Sequence, residues 1–364
     1  MTTSNDPAIE LRALRRDYVV RGRRRTTADA PHETPDDPSR TTATRGPRRD
    51  RAALGARIPR GVRGARRAQR IIRAVDDVSL RVDPGEAVGF VGANGAGKST
   101  TIKMMTGILQ PTAGHVRVLG RRPVPERRRL SREIGVVFGQ RSQLWWDLPL
   151  RDSFRILGAM HRLPESARTA RLSRLVEGLD LQDFLDRPVR QLSLGQRMRG
   201  EVAAALLHSP RLVILDEPTI GLDMISKEGL RRFLREDREE RGTTLFLTTH
   251  DMSDVERLCE RIVVVNSGTV AFDGPLAGFR ESLGAPRELI IDLAEPQERL
   301  TLPAGVSTLA VEAEGIRHRI AFHGSEMTVP RLLAAVGEQA EIADLSLAEP
   351  AIEDLVREIY ARGR

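Results

Sequence analysis

No stretch of this chain restricts its possible folds as tightly as Gly92-x-x-x-x-Gly97-Lys98-Ser99. An apolar run, Ala87 to Val91, leads into it, and a segment free of glycine and proline until Gly107 follows. Strand, glycine-rich turn and helix in that order make a phosphate-binding loop. Gly92, Gly95 and Gly97 let the backbone curl through Ala93, Asn94 and Ala96 until successive N–H groups point inward. The helix opening through Ser99 and Thr100 aims its positive end at the same anion. Lys98 offers a point charge to the β- and γ-phosphates, and the Ser99 hydroxyl is a hard oxygen ligand for Mg2+. The expected ligand is a nucleoside triphosphate.

A second motif supplies acids. Leu212 to Thr219 reads LVILDEPT, an apolar strand delivering Asp216 and Glu217 at its carboxyl end, where open α/β sheets place their ligands. Asp216 suits Mg2+, held through water, and Glu217, pointing elsewhere, suits polarisation of an attacking water. Adjacent acids more often form a solvated turn; four preceding apolar residues argue against that here.

The 364 residues suffice for two or three domains. There is no apolar run of about 18 residues and no apolar leader pattern in MTTSNDPAIE, so a soluble cytoplasmic protein is expected. The single Cys259 excludes an intrachain disulfide and a Cys/His zinc cluster, and its expected role is a small buried side chain. A net charge of +8 suggests nucleic acid until it is located: residues 21–70 hold 15 Arg against 5 Asp and Glu, +10, which leaves −2 for the rest. Of 58 basic residues only Lys98, Lys103 and Lys227 are lysine, so keeping an ammonium at 98 is itself informative.

Taken in order, Ile9 to Val20 reads as a strand ending near Tyr18. Residues 21–68, rich in Arg, Pro, Gly and Thr without hydrophobic period, read as a disordered or mobile insertion, a solvated loop or a contact for anionic lipid headgroups. Strands are expected at Ile71 to Asp83, His115 to Leu119, Ile134 to Phe138, Thr244 to Thr248 and Ile262 to Val265, with a hairpin turn at Asn266-Ser267-Gly268. Residues 121–132 read as surface loop. Helical spacing without strong strands marks 141–208 as a helical subdomain, and Ser226 to Glu240 as a further helix. The fold class is therefore α/β with a largely parallel sheet. The nucleotide-binding domain is placed at 1–284. Residues 285–364, with strands near 288–293, 306–312, 316–322 and 341–347 and helices near 329–338 and 351–361, read as a small α+β accessory domain.

Gly92 to Thr100, Gln140, LSLGQ at 192–196, ILDEPT at 214–219, Gly221-Leu222-Asp223 and TTH ending at His250 stand in the order found in ATP-binding-cassette ATPases, which this chain resembles over 9–20 and about 70–280. The resemblance implies a P-loop ATPase core that binds ATP and Mg2+. It gives Tyr18 the adenine-stacking role, although the insertion sets it far from Gly92, and Gln140 a metal- and γ-phosphate-sensing role. Ser193, Gly195 and Gln196 resemble the signature loop that meets the γ-phosphate held by the opposite protomer, with Leu194 departing from the usual glycine. Asp223 resembles the interface aspartate, and His250 the histidine that contacts γ-phosphate and positions water beside Glu217. A head-to-tail dimer of two copies follows.

One cassette and no long heptad insertion favour transport over translation or chromosome maintenance. FGQRSQLWWDLPLRDSF at 138–154, the LSLGQRMR variant and the C-terminal domain resemble type-2 exporters of the drug-resistance and viologen-export branch. The resemblance implies integral-membrane permease subunits as partners, no nucleic acid, and a peripheral position on the inner face of the cell membrane. Trp145 and Trp146 form either a docking patch for a membrane helix or local packing. Import is a weaker alternative. A soluble regulatory or nucleic-acid-associated ATPase, with residues 21–70 as its contact, is the alternative outside transport.

Overall fold

The computed structural model of the chain describes residues 6–21, 69–139, 141–279, 286–348 and 351–362. The insertion expected over 21–68 lies, from 22 on, outside the described residues, and so does Gln140. The chain divides into two units, Met1–Arg16 with Arg73–Arg364, and Asp17–Ile72. Within the second, Tyr18 lies on the strand Ile9–Arg21 and is 36% exposed.

Six strands form the central sheet: β3 (Ala87–Gly92), β5 (Ile134–Val137), β6 (Leu212–Asp216), β7 (Thr244–Thr248), β8 (Arg261–Asn266) and β9 (Thr269–Pro275). Their order is β5-β6-β7-β3-β8-β9, parallel throughout except for β9, which returns antiparallel to β8. The expected hairpin is built on Ser267 and Gly268, both at positive φ, the pairing a tight two-residue turn requires.

Parallel strands covered on both faces need apolar residues on both, and the sequence supplies them in alternation. Val88, Phe90, Leu212, Ile214, Phe246, Val263 and Val265 enter one core with the helix α1 (Lys98–Met105) and the strands β1 (Ile9–Arg21), β2 (Gln69–Val82) and β4 (Ala113–Val118). Ala87, Val91, Val213, Leu215, Leu245, Leu247, Ile262 and Val264 enter the other, beneath the helical residues of 141–208. β1, β2 and β4 make a three-stranded sheet in the order β2-β1-β4.

Residues 121–132, expected as loop, hold a short helix α2 (Arg127–Leu130) in which Leu130 is the only buried residue. One buried leucine among arginines leaves too little periodicity to be read in advance. The helical subdomain comprises α3 (Leu150–Met160), α4 (Glu165–Gly178) and α5 (Leu194–Leu206). Then come α6 (Met224–Arg241) and the short α7 (Met252–Leu258), the latter not anticipated from the sequence, although Met252, Val255 and Leu258 are its buried apolar stripe.

The small C-terminal α+β sheet contains β10 (Arg287–Leu293), β11 (Val306–Glu312), β12 (Arg317–Phe322) and β13 (Ile342–Ala348), antiparallel in the order β11-β12-β10-β13. Leu289, Ile291, Ile320 and Phe322 meet Leu332 and Val336 of α8 (Val329–Gly337) in a separate core. The last helix, α9 (Ile352–Arg362), goes elsewhere. Its Ile352, Leu355, Val356 and Ile359 join the core of the large sheet, and the helix packs on β8.

Candidate active site

Strand order brings the functional segments together. Because β6, β7 and β3 run parallel as neighbours, the loops leaving their carboxyl ends emerge side by side. Those loops carry the phosphate loop, Asp216 with Glu217, and His250.

The phosphate loop has the backbone its glycines foretold. Gly95 and Gly97 sit at φ 85° and 103°, and a β-carbon on Gly97 would lie 2.5 Å from the Ala74 carbonyl oxygen. Gly97 is the N-cap of α1, and the loop is pinned from behind by Gly268 N donating to Ala96 O at 3.2 Å. Asn94, Gly95 and Ser99 face solvent. The Lys98 ammonium is folded onto the loop, donating to the Gly92 carbonyl and, at 3.2 Å, to that of Ala93. Burial draws its pKa below the usual lysine range, while the carboxylates of Glu217 and Asp216 oppose the shift. Both acids are thus near enough to act electrostatically on Lys98.

Asp216 Oδ1 accepts from Thr248 Oγ1 at 2.5 Å, which fixes its carboxylate across the β6–β7 boundary. Glu217 adopts φ 55°, a left-handed conformation uncommon outside glycine, and its N–H donates to Thr248 O at 2.8 Å. The turn sends the Glu217 carboxylate away from that of its neighbour and toward His250, whose Nε2 lies 2.8 Å from Glu217 Oε1. Both side chains stay partly exposed, 31% and 49%. Strained backbone of this kind is held at functional positions by its surroundings.

Ser193 caps α5 in a capping box: its Oγ accepts from Gln196 N at 3.2 Å while Gln196 Oε1 accepts from Ser193 N at 3.0 Å. Gly195 abuts the Gly221 carbonyl, 2.8 Å from where a β-carbon would stand, and Leu194 covers Gly221. The segments at 193–195 and 221–223 therefore pack on each other. Asp223 caps α6, accepting from Ser226 N at 2.9 Å, and those hydrogen bonds hold its carboxyl below the usual range. Among the described residues, no hydrogen bond connects Ser193, Gly195 or Gln196 to the phosphate loop, Glu217 or His250.

The paired tryptophans separate. Trp145 packs against the core, whereas Trp146 is 52% exposed, with the Arg197 guanidinium 5.7 Å from its ring centre, on a cleft that also takes in Gly139, Ser142 and Glu201. Glu201 on α5 binds the segment after Gln140: Ser142 donates to its carboxylate, as does Gln143 N at 3.1 Å. Burial raises its pKa despite those donors. Sequence reading missed Glu201, which carries no motif of its own, and gave Thr248 no role beyond its place at a strand end and in TTH.

The chain matches the family model described as "ABC transporter" over residues 75–220. It is 34% identical over 214 residues to the ABC transporter ATP-binding protein NatA of Bacillus subtilis, a span covering 59% of this chain and 87% of that one. The chain belongs to the ABC transporter family. As an ATP-binding subunit of that family it is an ATP hydrolase. It is also 38% identical over 220 residues to the Nod factor export ATP-binding protein I of Burkholderia pseudomallei (strain 1710b), covering 59% of this chain and 67% of that protein. A dimeric bacterial ABC transporter cassette superposes with a TM-score of 0.56 at 24% identity, over 74% of this chain and 98% of that one, and shares the fold. Among the described residues no helix is long and apolar enough to cross a membrane.

Proposed function

We propose that this ABC ATPase drives an export complex: two copies close head to tail on ATP, and closure moves integral-membrane permease subunits at the inner face of the cell membrane. The observation that carries the chemistry is the convergence of Lys98, Asp216 and the Glu217–His250 pair at the ends of adjacent strands. The export direction rests on the sequence resemblance and on the name of the Nod factor relative.

In this reading the amides of Ala93 to Thr100 and the Lys98 ammonium hold the β- and γ-phosphates, and Tyr18 stacks on adenine. Glu217 orients the attacking water and His250 holds both that carboxylate and the γ-phosphate. Ser193, Gly195 and Gln196 of the second copy close over the nucleotide. The protein donors offered to a metal are one carboxylate, Asp216, and hydroxyl or amide oxygens of Ser99 and Gln140, and no cluster of three acidic, His or Cys side chains exists among the described residues. Such a set fits Mg2+ shared with phosphate oxygens and water. The ion supplies charge neutralisation on the phosphates when bound.

Trp146 and Arg197, beside the Glu201-anchored segment after Gln140, are the proposed seat of a permease helix. Residues 285–364 are proposed as the accessory domain, strapped to the cassette by α9. The test is Glu217→Gln: ATP binding is retained, turnover falls by at least about 100-fold, and a dimer accumulates with ATP. Unchanged hydrolysis sinks the assignment.

A further inference from the structure

Beyond the residues that face nucleotide, one buried carboxylate stands out. Asp254, in the first turn of α7, is 0% exposed. An isolated buried carboxylate is costly, so its partners define its purpose. Arg231 Nε reaches its Oδ1 at 2.7 Å. Its other oxygen, Oδ2, accepts from Thr219 Oγ1 at 2.6 Å and from Thr249 Oγ1 at 3.0 Å. Thr219 follows Glu217 by two positions, and Thr249 directly precedes His250. A single oxygen atom therefore ties together the two segments that present Glu217 and His250.

The tie extends to the interface loop. Thr249 Oγ1 also accepts from Asp251 N at 3.0 Å, and Asp251 Oδ2 accepts from Lys227 Nζ at 2.7 Å. Lys227 and Arg231 lie one turn apart on α6, the helix that Asp223 caps. Lys227 is one of three lysines in this arginine-rich chain, and it meets one oxygen of one carboxylate, the geometry of a compact point charge. Glu228 completes the surroundings, 3.8 Å from Arg231.

We propose that Asp254 is a positioning residue for hydrolysis: by accepting from Thr219 and Thr249 it sets the separation of Glu217 and His250, and Lys227 and Arg231 couple that separation to the Asp223 loop. This rests on the hydrolytic roles proposed above for Glu217 and His250. Two helices and two loop ends share the carboxylates of Asp251 and Asp254, so a shift of α6 at its Asp223 end carries the His250 segment with it.

Thr249→Val and Thr249→Ser in the full-length chain test it, since valine keeps shape and branching while serine keeps the hydroxyl. In Thr249→Val, kcat falls on the order of ten- to a hundredfold with KM for ATP within about twofold, because misplacement near the reacting group costs rate and not ground-state binding. Thr249→Ser recovers kcat to within about threefold. Thr219→Val, measured alongside, shows the same split and stands in should Thr249→Val not fold. An unchanged kcat in the valine variants, equal loss in valine and serine, or a parallel rise in KM overturns the proposal. Glu217→Gln in the same assay separates the two ideas. If it remains active the hydrolytic assignment fails, whereas an inactive Glu217→Gln beside a fully active valine series refutes positioning alone.

Discussion

Arg171 on α4 is a buried link from the helical subdomain to α6, and removing it gives a quantitative test. Its Nη2 donates to Asp237 Oδ2 on α6 at 2.9 Å, its Nη1 to Oδ1, and its Nε to Leu206 O at the end of α5 at 3.2 Å. The two side chains are 5% and 3% exposed. In Arg171→Ala the Asp237 carboxylate keeps, among the described residues, only Arg241, 3.2 Å away but 34% exposed. Stranding one partner of a buried pair costs about 3–5 kcal/mol. That is a large share of a net stability of about 5–15 kcal/mol. At roughly 2–4 °C per kcal/mol, the melting midpoint of the full-length chain falls by about 6–20 °C. Replacing both partners, Arg171→Met with Asp237→Leu, removes the uncompensated charge, and the Leu206 carbonyl loses one donor but keeps Ser209 N at 3.0 Å, so the cost falls to at most about 1–2 kcal/mol. Urea titration of wild type, single and double variants reads all three. A single-variant cost below about 1 kcal/mol, or a double variant as unstable as the single, refutes the argument that burial without a partner is what matters.

Two further outcomes follow from local geometry. Gly97→Ala places a β-carbon 2.5 Å from Ala74 O at φ 103°, so ATP affinity measured by fluorescent-nucleotide titration is lost; retained affinity shows that the loop can reshape. His208 stacks on His161 with ring centres 3.9 Å apart, and its Nε2–H donates to Ile134 O at 3.0 Å. Burial, then His161, lowers the pKa of His208 from 6.5 to about 4, and burial with Arg132 lowers that of His161. His208 is therefore neutral in the folded chain down to about pH 4 and protonates first in the unfolded one. Its contribution is present above about pH 6.5 and is lost progressively as pH falls toward 4, by about 3 kcal/mol. Urea titrations between pH 5 and 7, where carboxylates change little, should show the slope in wild type and a flatter one in His208→Gln; identical slopes contradict it.

The central sheet was legible because a buried parallel strand leaves an unmistakable apolar run: LVIL at 212–215 and TLFLT at 244–248 read directly as β6 and β7. The phosphate loop was legible because its backbone conformation needs glycine at 95 and 97, and need for a residue type is visible in one dimension. α2 and α7 were not, being short helices whose few buried residues give no sustained period. Among site residues, Asp254 escaped altogether, and Thr219 and Thr249 entered only as letters of ILDEPT and TTH without a role, for a different reason. Each is an ordinary residue alone, and their shared hydrogen bonds join positions up to 35 apart.

The sequence by itself determined that this chain binds a triphosphate: spacing of glycine, lysine and hydroxyl is a local property, as is an acid pair at the end of an apolar strand. It also located the excess charge in 21–70, leaving a net −2 for the rest. Tertiary structure decided the relations between segments. It put β7 between β6 and β3, so that His250 meets Glu217 at 2.8 Å, and it set Trp145 against the core while Trp146 stays on the surface. It sent the apolar face of α9 into the large sheet and not the small one beside it in sequence. Periodicity states that a face must be buried; only the competition among all available surfaces in the folded chain settles against what.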